Sequence, residues 1–190
     1  MGRGGPAAAL IVRKEVPEVR LKDFRQGLTE EEWRRFYRAF KDPEIARLNG
    51  HRPLRLPLWL FRRLVEAELA RGDRVAFGIL DEAGEWIGAV ELYDLKGGRA
   101  TLGILLSDKS RWGKGYGSQA VRRALDYAFE ELGLEAVELR TFRWNARARR
   151  AFEKAGFRLV GFAPAPGGEE DALMAITREE WARGAHKMGA

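Results

Sequence analysis

The chain has 190 residues and no cysteine, so disulfide scaffolds, thiolate metal sites and cysteine nucleophiles are excluded, and the length fits one domain with a buried core. The formal charge of +6 comes from 34 Lys and Arg set against 28 Asp and Glu, interspersed along the chain, which argues against a dedicated nucleic-acid face. The longest apolar runs, 7–12 and 102–106, fall far short of the ~20 residues of a membrane helix, and charge resumes at Arg13, against a cleaved signal peptide.

A single domain over 1–190 is therefore expected, cytoplasmic, with flexible ends at 1–16 and 184–190. Val19 to Phe24 reads as a first strand, and Thr29-Glu30-Glu31-Glu32 as a capping box opening a helix through about Phe40. Pro57 suits the first helical position of a second helix, whose Leu60, Phe61, Leu64, Val65 and Leu69 form one stripe that Gly72 ends. Alternation then predicts strands at Val75 to Leu80, Trp86 to Leu95 and Arg99 to Leu106, an antiparallel meander. Val121, Ala124, Leu125, Ala128, Phe129 and Leu132 mark a buried helix ended by Gly133, and Ala136 to Phe142 returns as a strand, so this crossover predicts a parallel pair. A short helix from about Ala146 to Gly156, a hairpin of Phe157 to Phe162 with Asp171 to Thr177, and a last helix capped by Thr177 and Glu180 complete the chain.

Between the third strand and the buried helix lies Arg111-Trp112-Gly113-Lys114-Gly115-Tyr116-Gly117. Alternate glycines let the backbone turn with its N–H groups to one side, and the helix beyond adds its positive dipole end, an arrangement that binds an anion. Arg111 and Lys114 add charge suited to a diphosphate. A P-loop would need Ser or Thr after Gly113-Lys114, where Gly115 stands, and a dinucleotide loop would need Gly-x-Gly-x-x-Gly tight against the strand end. Hydrolysis of ATP or GTP and binding of NAD are both disfavoured.

This turn, the run from Asn145 to Ala155-Gly156-Phe157, and Glu85 to Leu92 leading into Leu102-Gly103-Ile104 together resemble the GNAT acyltransferases. Within that family they resemble the group that includes ribosomal-protein N-terminal acetyltransferases and spermidine acetyltransferases, in which a tryptophan at the place of Trp112 is familiar. The likeness runs by order of elements from about Leu10 to Trp181. It implies an α/β (α+β) fold with a mixed, mostly antiparallel sheet of about seven strands, helices on both faces and a splayed cofactor cleft. It implies acetyl-CoA as co-substrate, no metal, and acetyl transfer to a primary amine. Carried over by position, the pantetheine arm meets main-chain groups near Leu105, Leu106 and Ser107. The diphosphate meets N–H groups of Gly113 to Gly117, with Arg111, Trp112, Lys114 and Tyr116 around it, and Asn145 bonds the arm. Arg147, Arg149, Arg150 and Lys154 are candidates for the adenosine 3′-phosphate, each equally readable as a solvated helix face.

The usual acids are replaced: relatives often carry a tyrosine where Phe152 stands and some a serine where Ala148 stands, so Phe152 is counted beside the arm but supplies no proton. A thiol of pKa about 8.5 leaves tolerably as the anion without one. The expected oxyanion donor is a main-chain N–H around Leu106. The candidate bases are Glu91 and Asp94, with Tyr93 and Tyr116 as spare acids, and strand alternation puts Glu91 and Tyr93 on one face and Asp94 on the other. His51 lacks any evident orienting partner, and Trp33, Trp59 and Trp86 read as core before acceptor cleft. The thin acid and base inventory leans toward a protein N-terminal α-amine, with pKa about 8 against about 10.4 for a lysine-like amine. A polyamine or other small amine, or a non-catalytic acyl-CoA-binding module, are the alternatives. Specific nucleic acid and membrane partners are not expected, and a monomer or homodimer is.

Overall fold

A computed structural model describes residues 15–188, with side chains through Gly184. Of the ends expected to be flexible, 1–14 and 189–190 fall outside those residues, whereas 184–188, expected to be loose, belong to a helix that runs to Met188. Seven strands form one sheet in the order β1-β2-β3-β4-β5-β7-β6: β1 Arg20–Asp23, β2 Val75–Leu80, β3 Trp86–Lys96, β4 Arg99–Leu106, β5 Ala136–Phe142, β6 Arg158–Pro164 and β7 Glu170–Thr177. Every neighbouring pair is antiparallel except β4 with β5. That one parallel pair is the product of the crossover through α4, Tyr116–Asp126, which continues as a π-helical turn over Tyr127–Glu131.

The first helix, α1 at Glu30–Lys41, begins with the expected capping box, Thr29 accepting from the Glu32 N–H and Glu32 from the Thr29 N–H. A helix the sequence reading missed, α2 at Pro43–Leu48, follows at once, with Asp42 as its cap and Pro43 in the first turn. Its signals were present, but six residues carry too little periodicity to register. Pro57 stands just outside α3, Leu58–Ala70. The chain closes with α5, Ala146–Lys154, and α6, Arg178–Met188, the latter capped by Thr177 and Glu180.

Helices cover both faces because successive strand residues alternate sides. On one face Val90, Leu92, Leu102, Val137 and Leu139 pack with Val121, Leu125 and Phe152 of α4 and α5. On the other, Ala89 and Leu105 pack with Trp33 and Phe36 of α1, Ile45 of α2 and Phe61 of α3. Trp33 and Trp86, 4% exposed each, belong to this second, aromatic core, whereas Trp59 is 62% exposed.

Candidate functional site

The site is a gap in the sheet. β4 pairs with β5 only over Arg99–Thr101 against Ala136–Glu138, an end held by the Arg99 and Glu138 ion pair. Beyond Thr101 the strands part, β4 keeping its bonds to β3 and β5 its bonds to β7. In the antiparallel β3–β4 ladder, Gly88 lies opposite Leu106 and Glu91 opposite Gly103. The Ser107 N–H donates to the Ile87 carbonyl at 2.9 Å, so alternation directs the main chain of Leu105 to β3 and turns the N–H and C=O of Ile104 and Leu106 into the gap. Of the three residues expected to offer main-chain groups there, Leu106 turns its N–H to the gap, its carbonyl being taken by the Trp112 indole, while Leu105 and the Ser107 N–H face β3.

The glycine turn closes the far end. Gly113 has φ +71°, and Gly115, with φ +91°, stands in the left-handed region immediately before the first residue of α4. Gly117 is helical, and a Cβ there would lie 3.4 Å from Leu106 Cδ1, which shows how near α4 begins to the end of β4. No side chain caps α4, so its first N–H groups are left for solvent or an anion. Lys114 is exposed on the turn. Arg111 is not turned toward those N–H groups: its Nη2 donates to Asp81 at 2.5 Å and its Nη1 to the Tyr116 hydroxyl at 2.7 Å. Tyr116, buried at 7%, donates to Glu82. That carboxylate holds the phenol's proton and pushes its pKa above the ordinary value, which removes Tyr116 as a spare acid.

Trp112 spans the mouth of the gap. Its indole N–H donates to the Leu106 carbonyl at 3.1 Å and its ring lies 4.0 Å under the Arg147 guanidinium, joining the end of β4 to α5. Arg149 turns back to the Arg143 carbonyl at 3.1 Å. Across the gap, Asn145 ends β5's connection and caps α5: its Oδ1 accepts from the Ala148 N–H at 3.2 Å, and among the described residues nothing accepts from its Nδ2. Phe152 is 6% exposed in the core, edge-on to Phe157 at 6.1 Å, so its ring is committed to packing.

Glu91 and Tyr93 share a face, as alternation requires, and both lie over Gly103, where a Cβ would come within 3.5 Å of Glu91 Oε1 and of the Tyr93 ring. Glu91 is half-buried and bonded to Arg74 at 3.3 Å. Burial raises its pKa above the usual carboxylate range despite that guanidinium, and burial raises Tyr93 as well. Asp94 is set apart. It takes φ +52° at the bulge where the β3–β4 register shifts, and it is exposed beside the closed end of the β4–β5 pair. His51 stacks on Phe40 at 5.3 Å with Nδ1 on the Arg52 carbonyl, a local loop role.

The family model for the acetyltransferase (GNAT) domain matches residues 24–158. The chain belongs to the GNAT family. Members use acetyl-CoA as co-substrate, and among the described residues no cluster suited to a metal occurs. This GNAT domain is 36% identical over 108 residues to the probable N-acetyltransferase YjcK of Bacillus subtilis, covering 54% of the chain and 59% of that protein. It is 38% identical over 92 residues to the FsC-acetyl coenzyme A-N(2)-transacetylase of Aspergillus fumigatus, covering 45% of the chain and 39% of that protein. The matches thus span less than two thirds of either relative. In fold it resembles the spermidine N-acetyltransferase from Vibrio cholerae in complex with CoA and spermine, with TM-score 0.76 and 20% identity, over 86% of this chain and 98% of that one. It likewise resembles the aminoglycoside acetyltransferase AAC(6')-Ib in complex with coenzyme A, with TM-score 0.72 and 23% identity, over 87% and 98%.

Asn145 offers a clean separation of folding from binding. Asn145→Asp keeps an oxygen for the Ala148 N–H and sets a negative charge at a helix N-terminus, but removes the Nδ2 donor. The expected result is an unchanged or higher Tm with acetyl-CoA affinity lowered roughly threefold to tenfold, the worth of one neutral hydrogen bond. Asn145→Ala should lose both the affinity and about 1 kcal/mol of stability. Calorimetry beside thermal denaturation reads the two effects, and wild-type affinity in Asn145→Asp removes this side chain from the cofactor site.

Proposed function

We propose that this GNAT domain moves the acetyl group of acetyl-CoA to a primary amine on a small cationic molecule, with Glu91 as the base. The observation that carries the reading is the parting of β4 from β5 beyond Thr101, which leaves the main-chain groups of Ile104 and Leu106 unpaired by β5 between the glycine turn and Glu91. The amine nitrogen attacks the thioester carbonyl carbon, the N–C bond forms, the C–S bond breaks and the sulfur leaves as thiolate. The amine's proton passes to Glu91, directly or through water. A carboxylate raised by burial is a better proton acceptor than an ordinary one.

The strand register refines the oxyanion donor. Leu106 lies three residues beyond Gly103, the partner of Glu91, or roughly 10 Å along the strand. Ile104 is adjacent to Gly103, so its N–H is the better donor to the carbonyl oxygen, and the Leu106 N–H is left for the pantetheine arm.

Charge favours a cationic acceptor over the protein N-terminus that the sequence alone leaned to. Glu68, Asp73 and Glu91 gather about Arg74 at 2.7, 3.8 and 3.3 Å, with Arg71 3.7 Å from Asp73, so this cluster above Gly103 sets three carboxylates against two guanidiniums and keeps an excess of negative charge. The fold neighbours named for spermidine and aminoglycoside acetylation are consistent with that choice. A screen with labelled acetyl-CoA over polyamines, aminoglycosides, lysine and peptides with free α-amines tests it. Polycationic amines should give the highest kcat/KM. Preference for peptide α-amines overturns the acceptor class, and CoA binding with no turnover on any amine overturns the activity.

A further inference from the structure

Asp81 opens the turn between β2 and β3 and is 1% exposed. Its Oδ1 accepts the main-chain N–H groups of Ala83 at 3.0 Å and Glu85 at 2.9 Å, while its Oδ2 accepts from Arg111 at 2.5 Å. Its neighbour Glu82 accepts from the Tyr116 hydroxyl at 2.8 Å, and Arg111 donates to that same hydroxyl. Asp108 adds a third carboxylate 3.5 Å from Arg111 Nε. Arg111 and Tyr116 bracket the segment Trp112 to Gly115, so one hairpin turn grips both ends of the glycine loop.

We propose that Asp81 is a positioning residue for the diphosphate of acetyl-CoA, acting through Arg111 to hold the glycine loop in its binding shape. The proposal rests on the reading that this loop takes the diphosphate. Gly113 and Gly115, both at positive φ, give the loop little conformational preference of its own, so a free loop loses entropy on binding. A clamp at each end removes that loss in advance. A carboxylate as buried as Asp81 is costly to leave without partners, and Arg111 with the two N–H groups supplies them. Because Asp81 and Asp108 neutralise Arg111, its part is geometric; the attraction for the anion comes from main-chain N–H groups, the start of α4 and Lys114.

Two variants separate this from a direct phosphate contact. Asp81→Asn keeps an oxygen for Ala83 and Glu85 and removes the charge that holds Arg111; Arg111→Gln removes the other partner while leaving both main-chain N–H groups on Asp81 and an amide able to donate to it, and each variant is first shown to be folded by thermal denaturation. CoA affinity is measured by calorimetry at low and high salt, together with KM for acetyl-CoA and kcat at saturation. Each variant should weaken CoA binding by roughly tenfold or more, raising KM while kcat stays within about twofold, and the double variant should be no worse than the singles. The salt dependence of affinity should match wild type, since no charged contact to phosphate is lost. If Asp81→Asn binds CoA as well as or better than wild type while Arg111→Gln weakens it, Arg111 touches the phosphate directly and the proposal is overturned. Should Asp81→Asn not fold, Arg111→Gln decides alone: undiminished affinity, or a flattened salt dependence, overturns the proposal, and weaker binding with the wild-type salt dependence supports it. A wild-type protein with no CoA affinity overturns the loop's assignment and this proposal with it.

Discussion

Glu91→Gln lowers kcat by about 10²-fold or more, the usual contribution of a positioned general base, while acetyl-CoA affinity stays at the wild-type level. Glu91 lies over Gly103 and beside Ile104 rather than at the glycine turn, so the loss belongs to the chemical step. The wild-type rate should rise with pH through the Glu91 titration, because the carboxylate is the working form. Burial raises that pKa, so the limb lies above the ordinary glutamate range, and it should vanish in the variant. The sign for stability runs the other way. A carboxyl whose pKa is raised by folding contributes stability at low pH that is lost as pH rises through its folded pKa. At neutral pH the ion is therefore an unfavourable group to bury, and Arg74 keeps Glu68 at 2.7 Å when Glu91 is neutralised. The variant should fold with a Tm no lower than wild type. A folded Glu91→Gln protein with undiminished kcat would falsify the assignment of the base.

Gly115→Val abolishes measurable acetyl-CoA binding or weakens it by well over tenfold, beyond ~1.4 kcal/mol. The cause is the backbone. Gly115 has φ +91° and ψ −3°, a conformation a β-branched residue strongly resists. A Cβ there would meet Pro17 at 3.4 and 3.6 Å, which is ordinary contact, so the side chain has room and the loop has to change shape instead. Gly117→Ala is the comparison. Its φ is helical and its new methyl would only touch Leu106, so affinity should change little. Calorimetry on both proteins, each shown to be folded by thermal denaturation, reads the contrast. Equal affinities in Gly115→Val and wild type would remove the diphosphate from this turn.

What the sequence determined by itself was local. The capping boxes at Thr29 and Thr177, the alternation of β2 to β4 and the glycine turn before α4 each declare themselves within a few residues, because propensity, capping and period act over one or two turns of chain. The boundaries of β4 and β5 were read to the residue, and their parallel pairing followed from the crossover between them. The tertiary structure decided which of the named groups face one another. Glu91 and Asp94 are near neighbours in the chain, yet the bulge and the β3–β4 register leave only Glu91 over Gly103. Arg111 reads as a phosphate ligand until Asp81, thirty positions earlier, is seen to hold it. Asp81 carries no local signal beyond that of a turn residue, since its guanidinium partner stands thirty positions later in the chain. Ile104, passed over in favour of Leu106, gained its place from the register alone. Ion pairs and open strand edges join residues far apart in the chain, and no periodicity within one segment records where another segment will lie.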